Sequence, residues 1–191
     1  MTVVVLVRHE DTYILAADGC AVSGTTKVNS EITKIHKHNR FDIGMAGSCG
    51  GLVVAKWLLN QVPKHTTQLD VELFKAGNKA DKQVNINDET DFLVLNGRPD
   101  NLVQDAILLG ISSKGIHVEN LRDLNHPVEA IGSGADSFLA AYQTLKRMAG
   151  REWESRNLSQ VIDDIRYALN VVDDLDIYCN DNITVKTFKA I

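Results

Sequence analysis

The chain has 191 residues, 44% of them hydrophobic and 24% charged, which fits one soluble globular domain. Its formal net charge of −5 argues against a general nucleic-acid binder, because phosphate recognition needs a clustered basic surface. No apolar run approaches the roughly 18 residues of a membrane span. The three cysteines form no CxxC pair, which argues against a disulfide framework and a zinc site. We therefore expect a cytoplasmic protein without membrane or nucleic-acid partners.

The first predicted elements are two hairpins. Apolar runs at residues 3–7 and 13–17 flank a polar turn at residues 9–12. Both runs are continuous rather than alternating, which indicates strands that are covered on both faces. A second hairpin is predicted from residues 33–36 and 41–46, with the polar sequence "KHNR" between them.

The middle of the chain is predicted to continue with a helix and then further strands. The stretch "FDIGMAGSCGGLVVAKWLLNQVP" indicates a strand, a glycine-rich turn and a helix, with Ser48 as N-cap and Pro63 at the end. Residues 65–89 are polar and lysine-rich, with a short helix predicted near residues 71–75. Strand patterns resume at residues 92–95, 106–111 and 115–119.

The last third of the chain repeats the strand, turn and helix order. In "PVEAIGSGADSFLAAYQTLKRMAG" a strand ends at Ile131 and a helix follows the glycine turn. Residues 158–172 form an amphipathic helical pattern, and "ITVKTFKAI" closes the chain as a strand. Because strands are grouped rather than alternating with helices, we predict an α+β fold with two antiparallel sheets between helices, in one domain over residues 1–191.

Thr2 lies between Met1 and the first apolar run, and it has two interpretations. Threonine is an ordinary residue at the start of an edge strand, so its presence there requires no function. Removal of Met1 would instead place a hydroxyl nucleophile and a free α-amine on one residue. The opening residues alone leave both interpretations open.

Several motifs follow one another in the order found in proteasome β-type proteins. They are "TVVVLVRHEDTYILAADG", the lysine of "SEITKI", the "MAG" that ends a strand, and "AIGSGADSFLAAYQTL". The sequence resembles this N-terminal-nucleophile (Ntn) hydrolase family and is most similar within it to HslV-like peptidases. The resemblance is strong over residues 2–60 and 127–188 and poor across 61–105. It implies a four-layer αββα sandwich.

The resemblance implies roles for six positions. Thr2 would be the nucleophile, with Asp18 and Lys34 as its charge partners. Ser133 and Asp174 would form hydrogen bonds around the Thr2 amine, and the Gly47 N–H would be the oxyanion donor. A threonine hydroxyl does not ionise near neutrality and needs a base within hydrogen-bond reach. An α-amine, with an ordinary pKa of about 7.7–8.0, suits that task. A nearby lysine cation disfavours protonation of the amine and keeps it available as the base.

Substrate contacts also follow from the resemblance. Cys20, Ala21 and Val22 would line a cleft as strand edges, together with residues 47–50, and an extended peptide could add to them as a further strand. Ile32 and Ala46 would face the pocket beneath Thr2 and favour apolar side chains.

The resemblance implies no cofactor for the chemistry, and it allows a structural monovalent or divalent cation held by backbone carbonyls near Asp176 and Cys179. It implies a polypeptide substrate and a closed homo-oligomeric ring, stacked in pairs. An ATP-dependent unfoldase partner stays open, because residues 61–105 match poorly. One departure is Ala17, where HslV-like sequences often have glycine.

The leading functional prediction is a threonine-type endopeptidase that cleaves unfolded polypeptides inside a ring chamber. The alternative is a catalytically silent ring subunit, because a retained Met1 would acylate the Thr2 amine and remove the base. A third interpretation is an amidohydrolase of the same nucleophile class that acts on a small amide. Since Thr2 is small, we expect aminopeptidase removal of Met1.

Overall fold

The fold is described from a computed structural model of the chain. The structure describes residues 3–23, 26–29, 31–47, 49–64, 66, 68–80, 89–97, 102–121, 128–175 and 182–191. The N-cap predicted at Ser48 lies outside these residues. Of the helices described, none is long and apolar enough to cross a membrane.

The predicted strands and helices occur along the described residues in the expected order, and the strand pair Ala21–Ser23 and Thr26–Asn29 and a 3-10 helix are additional elements. The strands are β1 (Val4–His9), β2 (Thr12–Ala17), β3 (Ala21–Ser23), β4 (Thr26–Asn29), β5 (Ile35–His38), β6 (Phe41–Ala46), β7 (Thr90–Gly97), β8 (Leu102–Ser112), β9 (Gly115–Asn120), β10 (Val128–Ile131) and β11 (Thr184–Ala190). The helices are α1 (Cys49–Gln61), α2 (Leu69–Ala80), α3 (Ala135–Ala149) and α4 (Leu158–Leu175), with a 3-10 helix at Gly150–Ser155.

Both predicted hairpins are confirmed, and one helix is longer than predicted. Strands β1 and β2 pair antiparallel, as do β5 and β6. Helix α2 spans Leu69–Ala80 instead of residues 71–75. Its buried side chains Leu69, Leu73 and Ala76 recur at helical spacing, so packing of this stripe extends the helix through a polar sequence.

The strands form one nine-stranded sheet with the order β10-β1-β2-β11-β8-β7-β6-β5, and β9 pairs with β8. The two sheets predicted from the sequence are therefore its two antiparallel halves. A short parallel pairing joins them, in which Lys189 of β11 lies opposite Leu102 of β8 and Ala190 opposite Val103. Strands β3 and β4 form a separate two-stranded sheet.

Three hydrophobic cores separate four layers, which confirms the predicted αββα arrangement. The core between the two halves of the sheet contains Val4, Leu15 and Leu93. A second core packs the β1 half against α3 and α4, and a third packs the β6 half against α1 and α2. Alternate residues of β1 enter different cores, so both of its faces are buried and its apolar run is continuous.

Gly44 marks the closest approach between the two halves. A Cβ atom at this position of β6 would lie 2.5 Å from Cγ1 of Val4 and 3.1 Å from Cδ1 of Leu15. The absence of a side chain therefore allows β1 and β2 to pack directly on β6.

We expect Gly44→Ala to lower the free energy of unfolding by about 1–3 kcal/mol, because the added methyl group overpacks the central core. Urea denaturation at a fixed protein concentration measures the change. The Val4→Ala substitution removes the atom nearest the new methyl group. The double variant should therefore be more stable than the sum of the two single changes implies, and strict additivity would contradict this packing.

Candidate active site

Asp18 and Lys34, two of the predicted site residues, come together at the end of the sandwich where β1 begins. Val4, the first residue of β1, lies opposite Ala17, the last residue of β2, and opposite Ile131, the last residue of β10. Val3 and Asp18 therefore come together just beyond these paired strands. Thr2 itself lies outside the described residues.

Asp18 is bonded to the backbone of Val3, the residue that follows Thr2 in the sequence. The Val3 N–H donates to Oδ1 of Asp18 at 2.8 Å, and the Asp18 N–H donates to the Val3 carbonyl at 3.3 Å. The carboxylate is thus fixed to the chain one residue from the predicted nucleophile. Val3 could not be predicted as part of this site, because a backbone amide has no residue-type signature.

Asp18 and Lys34 form a buried ion pair, as their predicted roles require. The Lys34 Nζ donates to Oδ1 of Asp18 at 2.7 Å, and the side chains are 5% and 1% exposed respectively. The Cys20 N–H donates to Oδ2 of Asp18 at 3.0 Å. Burial of two charges is costly unless hydrogen bonds satisfy the remaining valences. The three donors around Asp18 meet that condition.

Lys34 is held beside the end of β6. Its carbonyl accepts a hydrogen bond from the Met45 N–H at 3.0 Å, which extends the pairing of β5 with β6 by one step. Gly47 follows β6 directly, is exposed, and has φ of +137°. Residues that carry a side chain rarely adopt this backbone conformation, so the turn favours glycine. The structure therefore brings Lys34 and the backbone of Gly47 to the same end of the sandwich.

Ser133 and Asp174 lie at the surface. Ser133 is exposed in the turn from β10 to α3, next to Gly132, which has φ of +98°. Because the last residue of β10 pairs with Val4, this turn starts at the same end of β1 as Val3. Asp174 is exposed in the last turn of α4.

The predicted cation site cannot be traced to particular contacts, because Asp176 and Cys179 lie outside the described residues. Within the described ranges, no group of three or more His, Cys, Asp or Glu side chains is arranged to hold a metal ion.

The predicted substrate-binding residues differ in accessibility. Ile32 is 37% exposed, whereas the side chains of Cys20 and Ala46 are buried. Ala46 continues the alternation of β6 into the central core, and the Cys20 amide binds the Asp18 carboxylate. The side chains of Cys20 and Ala46 are thus inside the fold, and their predicted roles, as a strand edge and as part of the pocket beneath Thr2, stay predictions.

The neighbouring residues Ala21 and Val22 belong to β3. This strand pairs antiparallel with β4, and the register shifts between these two residues. Ile32 is tied to the start of the same segment, because its N–H donates to the Gly19 carbonyl at 2.8 Å. The β3–β4 ribbon thus leaves the sandwich directly after Asp18 and returns before Lys34.

One titrating side chain lies across the sheet from the end of β6. Asp91 of β7 is directly opposite Ala46. Burial raises the pKa of the Asp91 carboxyl, the negative charge of Glu89 raises it further, and His117 acts in the opposite direction. This carboxyl therefore takes up a proton more readily than an ordinary aspartate.

We expect Asp18→Ala to lower the free energy of unfolding by about 3–5 kcal/mol, because it leaves the Lys34 ammonium buried without its carboxylate. Chemical denaturation provides the measurement. Glu72→Ala is the control, since it breaks the Lys75–Glu72 ion pair on the surface and should cost about 1 kcal/mol or less.

The double variant Asp18→Ala/Lys34→Met tests the origin of this loss. It removes both charges and should recover part of the stability that Asp18→Ala loses. A double variant less stable than Asp18→Ala would contradict the unpaired-charge explanation.

The chain is similar to proteasome-type proteins in sequence and in fold. No protein-family model matches the chain. The ATP-dependent protease subunit HslV of Listeria welshimeri is 25% identical over 186 residues, which cover 97% of this chain and 96% of that protein. The same subunit of Listeria innocua matches with equal identity and coverage.

Solved structures show the same fold. The crystal structure of eukaryotic HslV from Trypanosoma brucei superposes with a TM-score of 0.71 at 19% identity, covering 98% of this chain and 99% of that one. Thiobacillus denitrificans BPH in complex with epoxomicin superposes with a TM-score of 0.63 at 14% identity, covering 98% of both chains. The four-layer fold therefore extends over nearly the whole chain.

Proposed function

We propose that the chain, which is similar to HslV in sequence and in fold, is a threonine endopeptidase of the proteasome β-type, HslV-like family with Thr2 as the nucleophile. The observation that carries the proposal is the buried Asp18–Lys34 pair, bonded to the amide of the residue after Thr2. The likeness to HslV and to the epoxomicin complex of BPH supports a threonine peptidase.

In the proposed reaction the Thr2 hydroxyl oxygen attacks the carbonyl carbon of the scissile peptide bond. The Thr2 α-amine accepts the hydroxyl proton and passes it to the leaving amine, so that an ester to Thr2 forms as the peptide bond breaks. Water then attacks the ester carbonyl carbon, the amine accepts a proton from the water and passes it to the Thr2 oxygen as the ester C–O bond breaks, and the product leaves with a new carboxyl group. The amine must be unprotonated at the start, which the neighbouring Lys34 cation favours.

The other residues hold or stabilise groups in this proposed cycle. Asp18 fixes the Lys34 ammonium and the backbone at Val3. The Gly47 N–H donates to the developing oxyanion, an interaction typically worth about 3–4 kcal/mol in the transition state. Ser133 and Asp174 supply hydrogen bonds around the amine. Ile32, Ala21 and Val22 contact the extended substrate.

The proposal extends to assembly. A broad peptidase in the cytoplasm needs its site enclosed, and a closed ring of identical chains, stacked in pairs, provides a chamber. The Listeria relatives are named as subunits of an ATP-dependent protease, so we propose a polypeptide substrate delivered by an ATPase partner. The chemistry itself requires no cofactor.

A silent ring subunit is the second candidate, and it requires that Met1 stays attached to Thr2 in the mature protein. An amide nitrogen has no basicity to offer, so a chain that keeps Met1 lacks the proposed base.

We expect Thr2→Ala to abolish cleavage of a fluorogenic peptide, because it removes the nucleophile, while Thr2→Ser retains measurable turnover. Intact mass of each preparation must show loss of Met1, and epoxomicin should inhibit the wild-type protein. Undiminished turnover by Thr2→Ala, or full activity of a preparation that retains Met1 quantitatively, would refute the mechanism.

We expect Lys34→Ala to lower kcat severely across neutral pH, because the α-amine loses the cation that disfavours its protonation. Lys75→Ala, which changes an exposed lysine of α2, is the control and should leave kcat unchanged. If Lys34→Ala keeps most of the wild-type turnover from pH 6 to 9, Lys34 does not tune the base.

A further inference from the structure

Two glycines lie close to the side chain of Thr90, one just before α1 and one in its first turn. A Cβ atom on Gly47 would lie 2.8 Å from Cα, Cγ2 and Oγ1 of Thr90. A Cβ atom on Gly51, in the first turn of α1, would lie 2.5 Å from Oγ1 and 2.6 Å from Cβ of the same residue. Since real Cβ contacts essentially never fall below 3.0 Å, Thr90 fills the space beside both glycines.

Thr90 is itself firmly placed. It is the first residue of β7, pairs with Ile111 of β8, and is 1% exposed. The next residue, Asp91, lies opposite Ala46 on β6, so the register puts Thr90 across from Gly47. Its β-branched side chain has few accessible rotamers and is therefore a stiff support.

We infer that Thr90 is a positioning residue that sets the location of the Gly47 N–H. The inference rests on the proposed function, in which that N–H donates to the oxyanion. An oxyanion donor acts at about 2.7–3.1 Å from the developing charge, so a shift of the turn by a few tenths of an ångström weakens it. The contact of Thr90 with both the strand end and the first helical turn prevents such a shift.

We expect the branched shape of Thr90 to contribute to the position of the turn. Both glycines meet the Oγ1 and Cγ2 branches of the side chain. Valine keeps two branches, whereas alanine keeps neither. Thr90→Val should therefore preserve the position of the turn and Thr90→Ala should release it.

The experiment compares kcat and KM for Thr90→Ala, Thr90→Val and a control, Thr12→Ala, per folded active site. Thr12 is also a buried threonine at the start of a strand, but it lies at the opposite end of β2 from Asp18. We expect Thr90→Ala to lower kcat about 10- to 100-fold with KM within about twofold, because the donor acts in the transition state. Thr90→Val should stay within about threefold of wild type, and Thr12→Ala should not change kcat.

A peptide aldehyde gives a second readout of the oxyanion site. The Thr2 oxygen adds to the aldehyde carbon, and the hydroxyl proton ends on the former carbonyl oxygen, which occupies the oxyanion position. Its affinity should fall in Thr90→Ala in proportion to kcat/KM. The inference is overturned if Thr90→Ala matches Thr12→Ala in kcat, or if Thr90→Val is as impaired as Thr90→Ala.

Thr2→Ala separates this inference from the proposed function. If the wild-type protein shows no cleavage that depends on Thr2, the peptidase proposal fails. Hydrogen exchange then decides the placement of the turn without any activity. Faster exchange at the Gly47 and Gly51 amides in Thr90→Ala than in Thr12→Ala supports positioning by Thr90, and equal exchange refutes it.

Discussion

The buried carboxylate of Asp18 holds the candidate site together. It accepts hydrogen bonds from the amides of Val3 and Cys20 and from the ammonium group of Lys34. These donors come from the start of β1, the end of β2 and the start of β5, so one side chain links both halves of the sheet. A carboxylate in the interior is tolerated only when donors surround it, which means that the geometry of the candidate site and the packing of this end depend on the same contacts.

Much of the fold could be predicted from local patterns. Continuous apolar runs indicated strands covered on both faces, and residues of β1 do enter two cores in alternation. The pairing of β11 with β8 could not be predicted, because it joins Lys189 and Ala190 to residues almost ninety positions earlier and leaves no periodic signal. Helix α2 was underestimated because the buried stripe of Leu69, Leu73 and Ala76 lies within a polar sequence.

The site could be predicted in part, and the limit is physical. The order of the motifs indicated Asp18, Lys34 and their pairing. Lys34 considered alone could not be told from an ordinary strand lysine, because the carboxylate that pairs with it in the interior lies sixteen residues earlier. The Val3 amide and the Thr90 contacts were missed because backbone donors and packing distances have no residue-type signature. Thr90 also lies within residues 61–105, where the resemblance is poor.

The cost of the buried pair bears on the choice between an active peptidase and a silent subunit. Replacement of a buried ion pair by apolar residues of similar volume is often neutral or stabilising. A ring subunit with a purely structural role would still need Asp18 as the acceptor for the Val3 and Cys20 amides, but it would not need the positive charge of Lys34. A catalytic amine, in contrast, needs a fixed cation nearby to stay unprotonated. The presence of both charges, joined to the amide beside Thr2, thus favours the peptidase over the silent subunit.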